Sequence, residues 1–279
     1  MQDLLHLYVR SHDLSCIYVQ CLKRTVKRAI SAGIRTVSDL TPANVNKFLA
    51  SQDVSQTTRC NYRREILTLW RFAFDAGLTE ELPCRVMRIK PARRVVEAWT
   101  RAELQAMIAY AEADKTKVGG VSKLEVRDVL PAWIGLGFDT ALRFSDLLHL
   151  QIEDFRNSGT MVALSAQKTG KPLVREISLH TQHCCARLFT RSPDGSLFAW
   201  ALTRRRAILM WRDFLRRHDI RGSSKWLRRS CATQLSIEQG SAAAATTYLQ
   251  HSSPHLVHAS YIDASQAAVP QPPRPLRPR

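Results

Sequence analysis

Apolar residues recur at close to helical spacing along most of this chain, and the rhythm changes to a strand-like one between Thr160 and Leu179. That restricts the fold to a mainly α body with a small antiparallel β-sheet, an α+β class. The first helical stretch runs from Leu14 to Ala32, with Ile17, Cys21, Leu22, Val26, Ala29 and Ile30 on one face, and stops at Gly33. Thr41-Pro42 is a helix start, a hydroxyl cap followed by proline at the first helical position, ahead of Val45, Phe48 and Leu49. A long helix follows from about Ser55 to Gly77 with Ile66, Leu69, Trp70, Ala73 and Phe74 inside. These segments predict a small helical bundle over residues 1–82.

Pro83 and Pro91 break the pattern in a basic stretch, and residues 83–97 read as a linker. That linker either follows a phosphate backbone or is an ordinary solvated connector. A second domain, 98–267, opens at Trp99-Thr100-Arg101-Ala102-Glu103, where Thr100 and Glu103 have capping-box spacing before Leu104, Met107 and Ile108. Another helix covers about Leu124 to Asp139. TMVALSA and PLVREISL, joined by QKTGK with Gly170 suited to a tight turn, read as a β-hairpin, and helices return from about Thr181. Ala207, Ile208, Trp211, Phe214 and Leu215 have core spacing. Residues 268–279 are rich in Pro and Arg and are expected to form a disordered tail.

Charge selects the partner class. With 41 Lys and Arg against 24 Asp and Glu, the chain carries +17, and between Arg191 and Arg229 basic residues face only Asp194, Asp213 and Asp219. Phosphate is the matching counter-charge, since neutralising it releases condensed counterions and the guanidinium fork fits its oxygens. A solvated basic surface is the plainer alternative. No apolar run reaches membrane-spanning length, and MQDLLHLYVRSHD lacks the features of a signal peptide, so a cytoplasmic, nucleoid-associated protein without membrane partners is expected. The seven cysteines include no CxxC pair and are expected to be reduced, mostly buried thiols.

QHSSPHLVHASYID, Gln250 to Asp263, holds His251, His255 and His258 at near-helical spacing. A metal site there is disfavoured, because Pro254 interrupts the turn and no cysteine or acidic ligand lies close in sequence. Tyr261 ends the same stretch. Tyr248 is a rival tyrosine, but its place in AAAATTYLQ suits packing.

Four segments resemble, in order, the boxes of the tyrosine recombinases, the phage integrase family. Thr140-Ala141-Leu142-Arg143-Phe144-Ser145-Asp146-Leu147 is similar to the first arginine box, with Ala141 where glycine is usual and Asp146 where glutamate is. Gln167-Lys168-Thr169-Gly170-Lys171 lies where these enzymes carry a catalytic lysine. Lys225-Trp226-Leu227-Arg228 resembles the His-x-x-Arg box, with Lys225 in the histidine position. Leu249-Gln250-His251-Ser252-Ser253 resembles Leu-Gly-His-Ser-Ser, with Gln250 for glycine, and Tyr261 stands where the nucleophile belongs, one residue farther than usual from the histidine.

The resemblance implies a helical core-binding domain and a catalytic domain that close together around double-stranded DNA. It further implies a site-specific recombinase acting as a homotetramer on paired sites, with an accessory directionality factor as a further partner. Tyr261 would form a 3′-phosphotyrosyl link, Arg143 and Arg228 would clamp the phosphate, Lys168 would protonate the leaving oxygen and His251 would donate to the phosphate. No metal or other cofactor is implied, because the covalent link conserves the bond energy. Lys225 supplies charge, and acts as a base only if its pKa is lowered. With no arm-binding domain ahead of residue 1, the pattern leans away from the larger phage integrases. A DNA-binding remnant without strand exchange and a type IB topoisomerase-like enzyme are the alternatives.

Overall fold

The structure, a computed structural model, describes residues 1–90, 95–118, 124–167 and 169–267. Lys168 and the 268–279 tail lie outside the described residues. The chain divides into two compact units, Met1–Arg94 and Val95–Arg279.

In the first unit α1 (Gln2–Ser11), α2 (Cys16–Ser31), α3 (Pro42–Ser51) and α4 (Gln56–Asp75) surround a core of Leu22, Val26, Phe48, Leu49, Ile66, Leu69 and Trp70. The boundaries follow from local chemistry. Thr41 accepts from the Asn44 N–H ahead of Pro42, and Ser55 accepts from the Thr58 N–H. Helix α2 closes at Gly33, whose φ of +98° lets Ile34 N–H return to the Ala29 carbonyl at 2.9 Å. Helix α1, not anticipated from the sequence, buries Leu4, Leu5 and Tyr8. Beyond α4 the chain stays on the bundle: Trp70 Nε1 donates to the Glu81 carbonyl at 2.8 Å, Arg63 Nε to Met87 at 2.7 Å, and Val86 is buried. Part of the stretch read as connector is therefore irregular backbone held on the bundle, with carbonyls satisfied by α4 side chains.

The second unit contains α5 (Arg101–Ala113), α6 (Val126–Asp139), α7 (Phe144–Leu148), β1 (Phe155–Arg156), β2 (Met161–Ser165), β3 (Pro172–Glu176), α8 (Leu179–Phe189), α9 (Arg204–Arg217), α10 (Lys225–Glu238), α11 (Ala242–Tyr248), α12 (Pro254–Tyr261) and α13 (Ala264–Ala267). Both halves of the Thr100–Glu103 capping box form at the start of α5. The predicted hairpin is β2–β3, antiparallel, with Met161 opposite Glu176 and Ser165 opposite Pro172. A third strand, β1, pairs with β2. At two residues it is too short to register as a period.

Helix α6 is buried over most of its length. At Gly137 a Cβ would lie 2.6 Å from Leu227 Cδ1, so glycine is what lets α10 approach so closely. Trp99 anchors the start of the unit, its ring centroid 6.0 Å from Trp211 and 5.3 Å from Trp226, with Nε1 donating to the Arg221 carbonyl at 3.0 Å. On α9, Ala207, Trp211, Phe214 and Leu215 are core as expected, whereas Ile208 is 47% exposed: one residue of the apolar run falls on the far side of the stripe. The cysteines are free, with Cys184, Cys185 and Cys231 buried and Cys16 and Cys84 exposed, which corrects the expectation of mostly buried thiols. Among the described residues, no helix is long and apolar enough to cross a membrane.

Gly222 supplies a test of this packing. Its φ is +139°, and an added Cβ would stand 2.5 Å from Trp99 Cζ2 and 3.0 Å from the Trp226 ring. Gly222→Ala is expected to destabilise the second unit by about 1–3 kcal/mol, read as a lower urea midpoint with the tryptophan fluorescence of this cluster as the probe.

Candidate active site

The first arginine box occupies the turn from α6 into α7. Thr140 caps α6, Ala141 follows at φ +51°, and Arg143 takes the N-cap position of α7. Arg143 is about a quarter exposed, with Nη1 3.9 Å from Asp146 Oδ2. Asp146 itself is buried, and its Oδ1 accepts from the Gln167 N–H at 3.1 Å. This carboxylate joins the arginine turn to the loop after β2.

Arg228, one turn into α10, is 6% exposed. Its guanidinium donates to the Ala141 carbonyl through Nη1 and to the Leu249 carbonyl through Nη2 at 3.0 Å, while Nε is buried without a partner. Burial lowers its pKa; the nearby Tyr261 hydroxyl opposes this, and the Arg143 charge acts with burial. Lys225 stands exposed as the first residue of the same helix.

The histidine box follows α11 through a Schellman closure: Gln250 N–H returns to the Thr247 carbonyl and His251 N–H to Thr246, both at 3.1 Å. Gln250 sits at φ +51°, the left-handed position that such closures usually give to glycine. Ala141 occupies the equivalent position after α6. Both residues that stand where the integrases usually have glycine are thus in left-handed backbone, which costs an L-residue about 1–2 kcal/mol. Ala141 offsets this by burying its methyl completely in a core with Ala232, Leu249 and Val257, and Gln250 by a bond from Nε2 to the Pro172 carbonyl at 2.6 Å.

Tyr261 is the last residue of α12. Its ring centroid lies 5.2 Å from that of His251 and 5.3 Å from Arg228 Cζ. Arg228, His251 and Tyr261 are thereby gathered, with Arg143 close enough to repel the Arg228 charge. His255 and His258 are exposed on α12, and His251 precedes the helix, separated by Ser252 and Ser253, so the three do not form one ligand face. Among the described residues, the one group with metal-ligand spacing is Glu112, His180 and Cys184, where burial raises the Cys184 pKa and so favours the protonated thiol over a ligand thiolate. Tyr248 is packed, not poised: its hydroxyl donates to the Asp139 carbonyl, Arg175 lies 4.0 Å over its ring, and burial raises its pKa.

The phage integrase family model matches residues 98–267, which span every box named above. The chain belongs to the phage integrase family. Membership makes it a tyrosine-type site-specific recombinase, and supports neither the remnant nor the topoisomerase-like alternative. Its fold is similar to that of the Tn1549 transposon integrase in complex with a circular intermediate DNA, at a TM-score of 0.75 and 12% identity, covering 92% of this chain and 94% of that one. It is also similar to the XerH recombinase in a post-cleavage complex with its palindromic difH substrate, at a TM-score of 0.70 and 15% identity over 87% of this chain and 75% of that one. A lambda integrase dimer bound to a COC′ core site matches at a TM-score of 0.70 and 15% identity, over 94% and 77% of the respective chains. No curated protein matches the chain in sequence.

One residue outside the family boxes ties the end of α12 to α10 and to the start of the unit. Asp263, two residues past Tyr261, is 6% exposed and accepts from Ala98 N–H at 3.1 Å, Ser265 Oγ at 2.6 Å and Gln266 Nε2 at 3.1 Å. Its own N–H donates to Thr233 Oγ1 on α10 at 2.9 Å. Burial alone would raise the Asp263 pKa, but the bonds from Ser265, Ala98 and Gln266 outweigh it and the pKa is lowered. The stability this group contributes is therefore present above its unfolded pKa, near 3.9, and is lost as pH falls through the lower folded value. Asp263→Ala is expected to cost about 1–3 kcal/mol at pH 7 by leaving the Ala98 N–H unpaired. In urea titrations below pH 4, wild type should lose this increment and approach the variant.

Proposed function

We propose that Tyr261 is the nucleophile of DNA strand exchange, and that Arg228, Arg143, His251, Lys225 and Lys168 serve it. The observation that carries this reading is the convergence of Arg228 and His251 on the Tyr261 ring. Two guanidinium groups held near one another, one buried with an unpartnered Nε, form a site suited to an anion. A phosphodiester supplies it.

In the proposed step the Tyr261 oxygen attacks phosphorus, the bond to the 5′-oxygen breaks, and the 3′ end remains linked to the tyrosine. Arg143 and Arg228 stabilise the charge that develops on the non-bridging oxygens, and His251 donates to the same phosphate. Lys225 adds positive charge from the first turn of α10, and the phenolic proton leaves to water. Lys168, assigned by its place in the hairpin loop, protonates the departing 5′-oxygen. Attack by the 5′-hydroxyl of another strand reverses the chemistry and joins the new partner, so no energy source is consumed.

Double-stranded DNA is the proposed partner, bound largely through phosphates and hence with strong salt dependence. Four copies would act on two paired sites, with a directionality factor as accessory, in the nucleoid. Helices 1–4 would form the core-binding domain, and residues 98–267 the catalytic domain.

A suicide-substrate assay tests the reading: nicked duplexes from DNA flanking the gene, resolved on denaturing gels. Wild type should form a covalent band and Tyr261→Phe none, with DNA binding intact in both. Arg143→Ala should slow adduct formation by roughly 10²–10³-fold, the scale of losing one preorganised oxyanion donor, without loss of folded protein by circular dichroism. An adduct that survives in Tyr261→Phe would move the nucleophile elsewhere.

A further inference from the structure

We propose that Gln250 is a positioning residue that locks the lysine hairpin to the histidine loop, a role that the glycine usual at this position cannot fill. The inference rests on the assignment of Tyr261 and Lys168 above. Gln250 immediately precedes His251, and its Nε2 donates to the carbonyl of Pro172, the first residue of β3, at 2.6 Å. Pro172 stands opposite Ser165, so this bond grips the hairpin at the foot of the loop formed by residues 166–171.

Two other contacts show that the grip belongs to a wider arrangement. Farther along β3, Arg175 lies over the Tyr248 ring at 4.0 Å and donates to the Tyr248 carbonyl. Both ends of β3 are thus fastened to Tyr248–Gln250, the segment that leads into His251. On the other side of the loop, Gln167 N–H is held at 3.1 Å by buried Asp146, one turn from Arg143. The loop that contains Lys168 in its sequence is anchored at one foot to the arginine turn and at the other to the histidine turn. Asp146 makes the first anchor with a backbone donor. The second exists only because a glutamine amide stands where a side chain is usually absent.

A leaving-group experiment separates positioning from general damage. A bridging 5′-sulfur departs without protonation, so it bypasses the group that protonates the 5′-oxygen. Gln250→Glu keeps the size of the side chain but removes its donor. It is expected to slow cleavage of an ordinary oxygen substrate roughly tenfold, on the scale of one hydrogen bond, and to cleave the bridging-phosphorothiolate duplex at close to the wild-type rate. Gln250→Arg, which retains a donor, should recover most of the oxygen rate. The same variants are to be compared by amide hydrogen exchange at Ala166 and Gly170, whose N–H groups close the loop on Lys171 and Ala166; exchange should be faster in Gln250→Glu.

Unchanged loop exchange, or a rate loss that sulfur does not relieve while Lys168→Ala is relieved, would overturn the proposal. Lys168→Ala serves as the separate control. If sulfur fails to rescue it, the lysine assignment is wrong, and the role of Gln250 is then decided by loop exchange alone.

Discussion

The Arg228 guanidinium is the point on which the catalytic unit turns. It is buried, so its charge must be met inside the protein, and what meets it is backbone: the Ala141 and Leu249 carbonyls. Those carbonyls belong to the two turns that present Arg143 and His251. A group expected from the sequence to touch phosphate is thus also the strut that sets the spacing of its neighbours. Two carbonyl dipoles offset only part of the desolvation of a full charge. The remainder is expressed in its lowered proton affinity.

The same two turns explain how the chain tolerates residues other than the usual glycines. Ala141 and Gln250 both follow a helix end in left-handed backbone, where a Cβ is unfavourable. Each has a compensating contact, a fully buried methyl in one case and a hydrogen bond to β3 in the other. The departures from the family pattern at these positions therefore leave the turn geometry in place. They shift the source of its stability from backbone freedom to side-chain contact.

Much of this was legible in the residues. The Thr100–Glu103 box, the Thr41-Pro42 start and the Gly33 stop act within one turn of chain, so local chemistry alone locates them. The hairpin was visible because five-residue strands are long enough to show a period, whereas β1, with two residues, was not. Helix α1 went unread because its apolar face acquires meaning only against α2 and α4. At the site, the boxes pointed to Arg143, Arg228, His251 and Tyr261 as candidates, but not to the bonds that Arg228 makes with backbone carbonyls. Asp146 lies within the first arginine box, while its bond to Gln167 spans 21 positions. Asp263 and Ala98 are 165 apart. No short pattern encodes such pairs.

Helix α12, which carries Tyr261, is eight residues long and sends Val257 into the core. With so little surface buried along its length, it is held chiefly at its ends, by the closure at Gln250–His251 and by the bonds of Asp263. Such an element resembles a plank resting on two trestles, with few buried contacts of its own along its length, and local opening free energies track buried contact. The proposed nucleophile is thereby mounted on a separate short element, while the two arginines stand on α10 and on the turn into α7.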